Sequence, residues 1–363
     1  CILKYCGNPG RSGHFLSIKT GEEVYHARKH IAAFFGIEKA EQLIFTKNTT
    51  EALNLGIKGL LRSGDHVITT SMEHNSVLRP LKSLEKFGIT HSVLRADRDG
   101  LLTAADIEKT IRPNTKLIIV TAASNVTGGK MPIAEIGELA KRKGIFFMVD
   151  GAQGAGCMPL DVAHMHIDLL AFPGHKGLLG PQGSGGLYAS PRTALRPMLE
   201  GGTGTESKSR EQPREFPEGF EAGTINAPAI IGLGCGTEFV AKIGVDVIAR
   251  YEEELISYLD ACLDEMPGVL RYGPPAGKKT GITLFNIEGL PAEEVTATLN
   301  NQYGIAVRGG YHCAGLAHKS IGTWEQGGVR VSVGPFNTKA QMQKLTDAVW
   351  QISSRQTRQN RLL

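Results

Sequence analysis

The sequence predicts an α/β protein: a large domain with a mixed, mainly parallel sheet flanked by helices, followed by a smaller C-terminal α/β domain. Three observations predict it. From Glu22 to about Leu187, stretches of helical periodicity alternate with short apolar runs, the pattern of a sheet with helices on its faces. The chain has 363 residues, beyond the size at which one hydrophobic core stops growing, so two packed units are expected. After a long polar loop a second βα series begins, which divides the chain into residues 1–265 and 266–363.

Element by element, the first helix reads from Glu22 to Phe35, with Val24, Ala27, Ile31 and Phe34 on one face. Ahead of it, Cys1 to Tyr5 reads as the end of a helix that starts upstream, so further N-terminal residues are expected. Strands are expected at Leu43–Thr46, His66–Thr70, Thr90–Leu94, Leu117–Thr121 and Phe146–Asp150. Each is short and apolar on both faces, hence buried and mainly parallel. Helices Thr50–Leu61, Val77–Phe87, Ala104–Ile111 and Ile133–Arg142 fall between them, punctuated by turns such as Ser63-Gly64-Asp65 and Asp99-Gly100. The stretch Gly201 to Gly223 is too long and polar for a plain connector and reads as a functional loop. Helices Ala227–Lys242 and Val245–Glu265 follow. The small domain then holds strand Ile282–Ile287, helix Ala292–Gln302, strands Ala306–Arg308 and Val329–Val333, and helix Lys339–Ile352.

Composition narrows the function. Basic and acidic side chains, 40 against 36, are spread along the chain for a net charge of +4, and only Arg355 to Arg361 is locally basic, so no nucleic-acid surface is expected. No apolar run approaches the roughly 18 residues of a membrane helix, and no charged-then-apolar leader opens the sequence. The six cysteines lie far apart, without zinc-site pairing or the density of a disulfide scaffold. A soluble protein of a reducing cytoplasm fits.

The most specific chemical signal is the strand ending at Asp150, in Val149-Asp150-Gly151-Ala152-Gln153, followed by a second apolar run ending in Gly174-His175-Lys176. Each residue alone is most simply an exposed polar group. Together they place a carboxylate and a lysine at the C-terminal edge of an α/β sheet, where ligands bind. The pair suits pyridoxal 5'-phosphate: the carboxylate keeps the pyridine nitrogen protonated, and Lys176 holds the aldehyde as a Schiff base. A second constellation, Thr46-Lys47-Asn48-Thr49-Thr50-Glu51, opens a helix whose free N–H groups and hydroxyls offer an anion site, although it is also an ordinary N-cap. Gly180 to Gly186 lacks the lysine of a P-loop, and His164-x-His166 reads as surface rather than metal site.

These motifs resemble those of cysteine desulfurases, in the class V aminotransferase branch that includes selenocysteine lyases. The matching stretches are Thr49 to Ala52, Met72 to Asn75, Ala123 to Gly128, Val149 to Gln153, Gly174 to Lys176, Phe220 to Thr224 and Tyr311 to Ala314, in the family's order. The resemblance implies the type I fold of pyridoxal-phosphate enzymes. It implies that His74 stacks on the pyridine ring and moves protons, that Asn125 touches the ring hydroxyl or substrate carboxylate, and Gln153 the ring oxygen. His175, Thr49 and Thr50 would serve the phosphate, and Thr224 the phosphate of a partner subunit in a homodimer. Arg330 would clamp the substrate carboxylate, with Arg11 a weaker candidate.

Cys313 would be the nucleophile that takes sulfur from L-cysteine, favoured by a glycine-hinged turn and by adjacent His312; the alternative is a buried structural thiol. The sulfur would pass to an acceptor protein or small thiol, for iron–sulfur assembly or another thio-cofactor. Two positions depart from the family: Pro173 stands where a hydroxyl residue usually helps hold the phosphate, and Tyr311 where a histidine usually precedes His312. A lyase acting on selenocysteine or cystine without Cys313 is the nearest alternative. An inactive scaffold subunit is the alternative of another class.

Overall fold

The computed structural model describes residues 1–10 and 12–360. The chain runs α1 (Phe15–Phe34), β1 (Leu43–Thr46), α2 (Thr49–Leu60), β2 (His66–Thr70), α3 (Asn75–Leu84), β3 (Thr90–Leu94) and α4 (Ala104–Glu108). It continues through β4 (Thr115–Thr121), α5 (Ile133–Lys143), β5 (Phe146–Asp150), β6 (Leu169–Pro173), β7 (Gly185–Ala189) and α6 (Ala227–Ile243). These seven strands lie in the order β1-β7-β6-β5-β4-β2-β3, and β7 alone runs against its neighbours.

Strand side chains alternate between two cores. Ile118, Val120, Phe147, Val149, Leu170 and Phe172 join residues of α1, α5 and α6. Leu117, Ile119, Met148, Leu169 and Ala171 join residues of α2 and α3 on the other face. The inner strands are therefore buried on both faces. β3 departs from that expectation, because at the sheet edge it has no outer neighbour and stays half open.

The remainder comprises α7 (Val245–Asp264), β8 (Val269–Tyr272), β9 (Ile282–Ile287), α8 (Ala292–Tyr303), α9 (Gly315–Ile321), β10 (Val329–Ser332) and α10 (Lys339–Asn360), around an antiparallel sheet β10-β9-β8. Leu255, Ile256, Leu259 and Leu263 of α7 share a core with Phe285, Val329 and Leu345. On this packing we assign α7 to the smaller unit, ahead of the boundary expected near Met266. The expected strand Ala306–Arg308 does not form. Arg308 makes one bridge, to Arg330, and then Gly309 passes so close to α8 that a Cβ there would lie 2.6 Å from Thr296 Oγ1. α1 starts before Glu22 because His14 Nδ1 caps the Ser17 N–H at 3.2 Å, extending the helix over exposed Phe15, Leu16 and Ile18, which show no buried periodicity.

Two sets of bonds locate the parts that flank the site. The Thr280 N–H donates to the Gly128 carbonyl at 3.0 Å and the Lys130 N–H to Lys278 at 2.9 Å, joining the small unit to the loop that carries Asn125. The long loop after β7 is tied down by a buried ion pair: Arg28 donates to both Glu221 oxygens at 2.8 and 2.9 Å, and Glu221 Oε1 also accepts from the Phe45 N–H at 2.6 Å. Removing one member leaves the other charge buried without its partner. Glu221→Ala should therefore lower stability by about 3–5 kcal/mol, read from urea unfolding; a loss below about 1 kcal/mol would mean that the pair is effectively solvated.

Candidate active site

Every parallel strand of the inner sheet ends at one edge, and a cleft of about 240 Å³ opens there. Its large-unit walls are the residues that follow β1 (Asn48, Thr49, Thr50), β2 (His74, Ser76), β4 (Asn125), β5 (Ala152, Gln153) and β6 (His175, Lys176), with Asp150 and Pro173 at the strand ends. Arg308, His312 and Arg330 close it from the small unit.

Asp150 is nearly inaccessible and accepts the Ala152 N–H at 2.9 Å. Burial raises its pKa, opposed by that N–H and by Lys176. Beneath it Glu73, fully buried, accepts from the Thr70 hydroxyl at 2.7 Å and the Thr121 N–H at 3.0 Å; burial pushes its pKa up to about 8, so it is a neutral acid at pH 7. A neutral Glu73 spares Asp150 a second buried negative charge. Lys176 opens on the cleft, yet the concave walls strip much of its hydration. Burial lowers its pKa, Arg330 and Arg308 push the same way, and Asp150 opposes them. The Gly174-His175-Lys176 turn needs its glycine, since a Cβ at Gly174 would fall 2.1 Å from Ser184 Oγ.

The β1–α2 turn builds a donor cradle. Asn48 Oδ1 accepts the Glu51 N–H at 3.0 Å, and the first intrahelical bond is Ala52 to Asn48, so the N–H groups of Thr49 and Thr50 come before the helical ladder begins. Thr50 Oγ1 lies 2.8 Å from Ser76 Oγ, which lies 2.8 Å from His74 Nδ1; that nitrogen also accepts the Ser76 N–H at 3.0 Å. His74 is thus both the cap of α3 and a wall of the cleft. Its hydrogen sits on Nε2, and burial, with Lys176, Arg308 and Arg79, lowers its pKa to about 4. Ser76 was not among the expected site residues. It supplies a hydroxyl beside Thr50 in a cleft where Pro173 supplies none.

On the opposite wall Arg330 donates to the Asn125 carbonyl at 2.8 Å, while its Nε is buried without a hydrogen-bond partner among the described residues. Burial and then Arg308 lower its pKa to about 10. The Asn125 amide donates to the His312 carbonyl at 2.7 Å, so both ends of Asn125 hold the small unit in place. His312 and Cys313 are left-handed, at φ 53° and 57°, a conformation that costs about 1–2 kcal/mol per residue. Cys313 is exposed in a depression beside the cleft, with Thr50, His74 and Ser76 as common walls. The expectation that His312 favours the thiol needs correction. Its ring is buried and turned away to the Arg308 carbonyl and His318; the cation beside Cys313 Sγ is the Arg308 guanidinium, at 3.9 Å. Arg308 went unread because its neighbours in sequence carry no signal for a pairing made in space.

Thr224 is exposed and outside the cleft of its own chain. Arg11 lies outside the described residues. Asp150, Lys176, His74, Thr49, Thr50, Asn125, Gln153, His175 and Arg330 come together.

A lysine and a buried carboxylate at the strand edge, with helix N-terminus and arginine around them, define an α/β enzyme site built to hold an anionic molecule. The chain belongs to the aminotransferase class-V family, whose model matches residues 2–345. A probable cysteine desulfurase of Methanothermobacter thermautotrophicus is 36% identical over 356 residues, which are 96% of this chain and 88% of that protein. The apo structure of a cysteine desulfurase from Thermococcus onnurineus NA1 matches with a TM-score of 0.91 at 36% identity, covering 97% of this chain and 89% of that one. The Escherichia coli cysteine desulfurase CsdA matches at 0.84 and 29% identity, covering 94% and 86%.

Buried titratable groups set the pH dependence of stability. His66, His74, His312 and His318 are each lowered to about 4, so below pH 6.5 the unfolded chain takes up protons that the folded chain refuses, and stability falls with falling pH. Glu73 and Glu252 are raised to about 8 and 7, so their neutral folded forms contribute least above those values. Cofactor-free protein should be most stable near pH 6.5 to 7, with the thermal midpoint dropping toward pH 4.5 and, less steeply, toward pH 8.5. A midpoint that is flat across that range would contradict the assignment of these groups as neutral.

Proposed function

We propose that this chain is a pyridoxal-phosphate-dependent cysteine desulfurase that converts L-cysteine to L-alanine and takes the sulfur onto Cys313. The observation that carries the reading is the meeting of Lys176, Asp150 and Arg330 in one cleft with the Cys313 thiol beside His74, at its rim. The polar atoms of the site fit the cofactor. Asp150 keeps a carboxyl buried on one N–H donor, and a pyridinium N–H is the donor it lacks. The start of α2, with Thr49, Thr50, Ser76 and His175, offers donors to a phosphate. Arg330, whose buried Nε is unpaired among the described residues, offers a fork to the substrate carboxylate.

When bound, the cofactor supplies an aldehyde that captures amino groups and a protonated ring that draws electrons from the substrate α-carbon. Lys176 anchors that aldehyde, and its lowered pKa suits the base that takes the α-proton. Asp150 would hold the positive charge of the ring nitrogen, and neutral His74, with its hydrogen on Nε2, would offer a donor to the ring or the substrate sulfur. Cys313 Sγ attacks the substrate sulfur: the S–S bond forms as the C–S bond breaks, Cβ keeps the electron pair and is protonated, the α-carbon regains a proton from Lys176, and alanine leaves. An acceptor protein or small thiol then removes the outer sulfur, for iron–sulfur assembly or another thio-cofactor.

Thr224, exposed outside its own cleft, is the residue through which a homodimer would complete the partner's phosphate site. Unpaired cysteines among the described residues support a reducing cytoplasm, and none of the described helices is long and apolar enough to cross a membrane. The placement of Cys313 outside the cleft proper keeps a second reading in view, a selenocysteine or cystine lyase that does without it.

Borohydride reduction of the yellow holoenzyme should fix a pyridoxyl adduct on Lys176 in peptide mapping; an adduct on another lysine, or none in saturated protein, would overturn the cofactor assignment. Light scattering should find a dimer at micromolar concentration, and a fully active monomer would rule out a shared site. Cys313→Ala should cut alanine formation from cysteine by at least about two orders of magnitude, the scale of losing an essential nucleophile, with the imine absorbance retained. Near wild-type turnover in that variant would hand the assignment to the lyase.

A further inference from the structure

Behind Cys313 lies a chain of buried groups that the reaction itself does not use. The Arg308 carbonyl accepts from His312 Nε2 at 3.1 Å, which leaves His312 Nδ1 as an acceptor. His318 Nε2 lies 3.5 Å from that Nδ1, while His318 Nδ1 accepts the Thr323 hydroxyl at 2.7 Å. Each ring therefore has one donor and one acceptor nitrogen in use, and the two rings stack at 5.7 Å with 17° between their planes. His318 is wholly inaccessible and also takes the edge of Tyr311 at 5.4 Å. At the far end of the chain, the Arg308 backbone is bridged in both directions to Arg330, and its guanidinium sits 3.9 Å from Cys313 Sγ.

We propose that His318 is a positioning residue: through His312 it fixes the Arg308 backbone, and so keeps the Arg308 guanidinium over the Cys313 sulfur. The two consecutive left-handed residues explain why such a brace is needed. His312 and Cys313 would relax out of this conformation unless held, and the bonds that hold them come from Asn125, Asn75 and this histidine chain. A fixed guanidinium favours an anionic group approaching the sulfur. The proposal deepens the reading that Cys313 is the nucleophile and rests on it for its use, but the geometry can be tested without turnover.

The test compares alkylation of Cys313 by iodoacetate, an anion, and by neutral iodoacetamide, in cofactor-free protein at fixed pH, quantified on the Cys313 peptide. A cation beside the sulfur favours the anionic reagent, so the ratio of the two rates reads the position of Arg308. Arg308→Gln should lower the ratio about fivefold, the effect of one unit charge a few ångströms away in an aqueous site. His318→Phe, which keeps the ring volume, should lower it by a similar factor, and the double variant no further. His318→Gln, whose amide can donate as Nε2 does, should restore much of it. Should His318→Phe not fold, Thr323→Val carries the same test with the same expected fall. An unchanged ratio in the folded His318 or Thr323 variant, or in Arg308→Gln, would overturn the proposal. Loss of the Cys313 nucleophile reading shows separately, as unimpaired desulfuration in Cys313→Ala, and leaves the ratio where it is.

Discussion

The register between β5 and β6 is the constraint on which the site depends. Asp150 pairs with Ala171, and β6 then runs only to Pro173 before the Gly174-His175-Lys176 turn brings the lysine back over the edge. Because strand side chains alternate, a slip of one residue would carry Asp150 to the opposite face of the sheet and move each apolar side chain of β5 into the other core. The apolar residues of β5 and β6 prevent it. Their alternation between the two cores means that a one-residue slip would set each of them into a core packed for other side chains. The same edge collects the ends of β1, β2 and β4, so a single packing solution delivers a helix N-terminus, a histidine, a carboxyl and an amine together.

The small unit adds two guanidinium groups above the cleft and a thiol beside it. Its docking includes bonds at Gly128, Lys130, Asn75, Ser71 and both ends of Asn125. Asn125 therefore links Arg330 to the alignment of the two units: its carbonyl accepts from Arg330, and its side-chain amide holds the turn before Cys313. A left-handed His312-Cys313 pair is costly on its own, and strain of this kind persists where surrounding bonds over-determine it. Here it presents the thiol to solvent and to the cleft rim at once.

Much of this was legible in the sequence, for physical reasons. Buried strands such as β2 and β5 are apolar runs bounded by turn signals, and their limits could be read directly. Asp150 and Lys176 stood out because each closes such a run. β8 and α9 were missed: β8 is short and half exposed, with Arg271 and Tyr272 in place of alternation, and α9 is too short for periodicity to register. Arg308, Ser76, Glu73 and Glu221 were missed because their meaning lies in long-range pairing. Glu221 meets Arg28 across 193 residues, and Arg330 meets Asn125 across 205, distances over which local pattern carries no information. His312 was read correctly as near Cys313 but wrongly as facing it, since adjacency in sequence does not set side-chain direction in a left-handed turn.

The transfer of sulfur can be observed directly. Holoenzyme is mixed with a limiting amount of sulfur-labelled L-cysteine in the absence of any acceptor, quenched with an alkylating agent, and mapped by mass spectrometry. The Cys313 peptide should carry one additional labelled sulfur, removable by dithiothreitol, in step with alanine formed. Alanine formed with the label released as free sulfide, or with the label on another cysteine such as Cys157, would contradict the assignment of Cys313 as the sulfur-accepting residue.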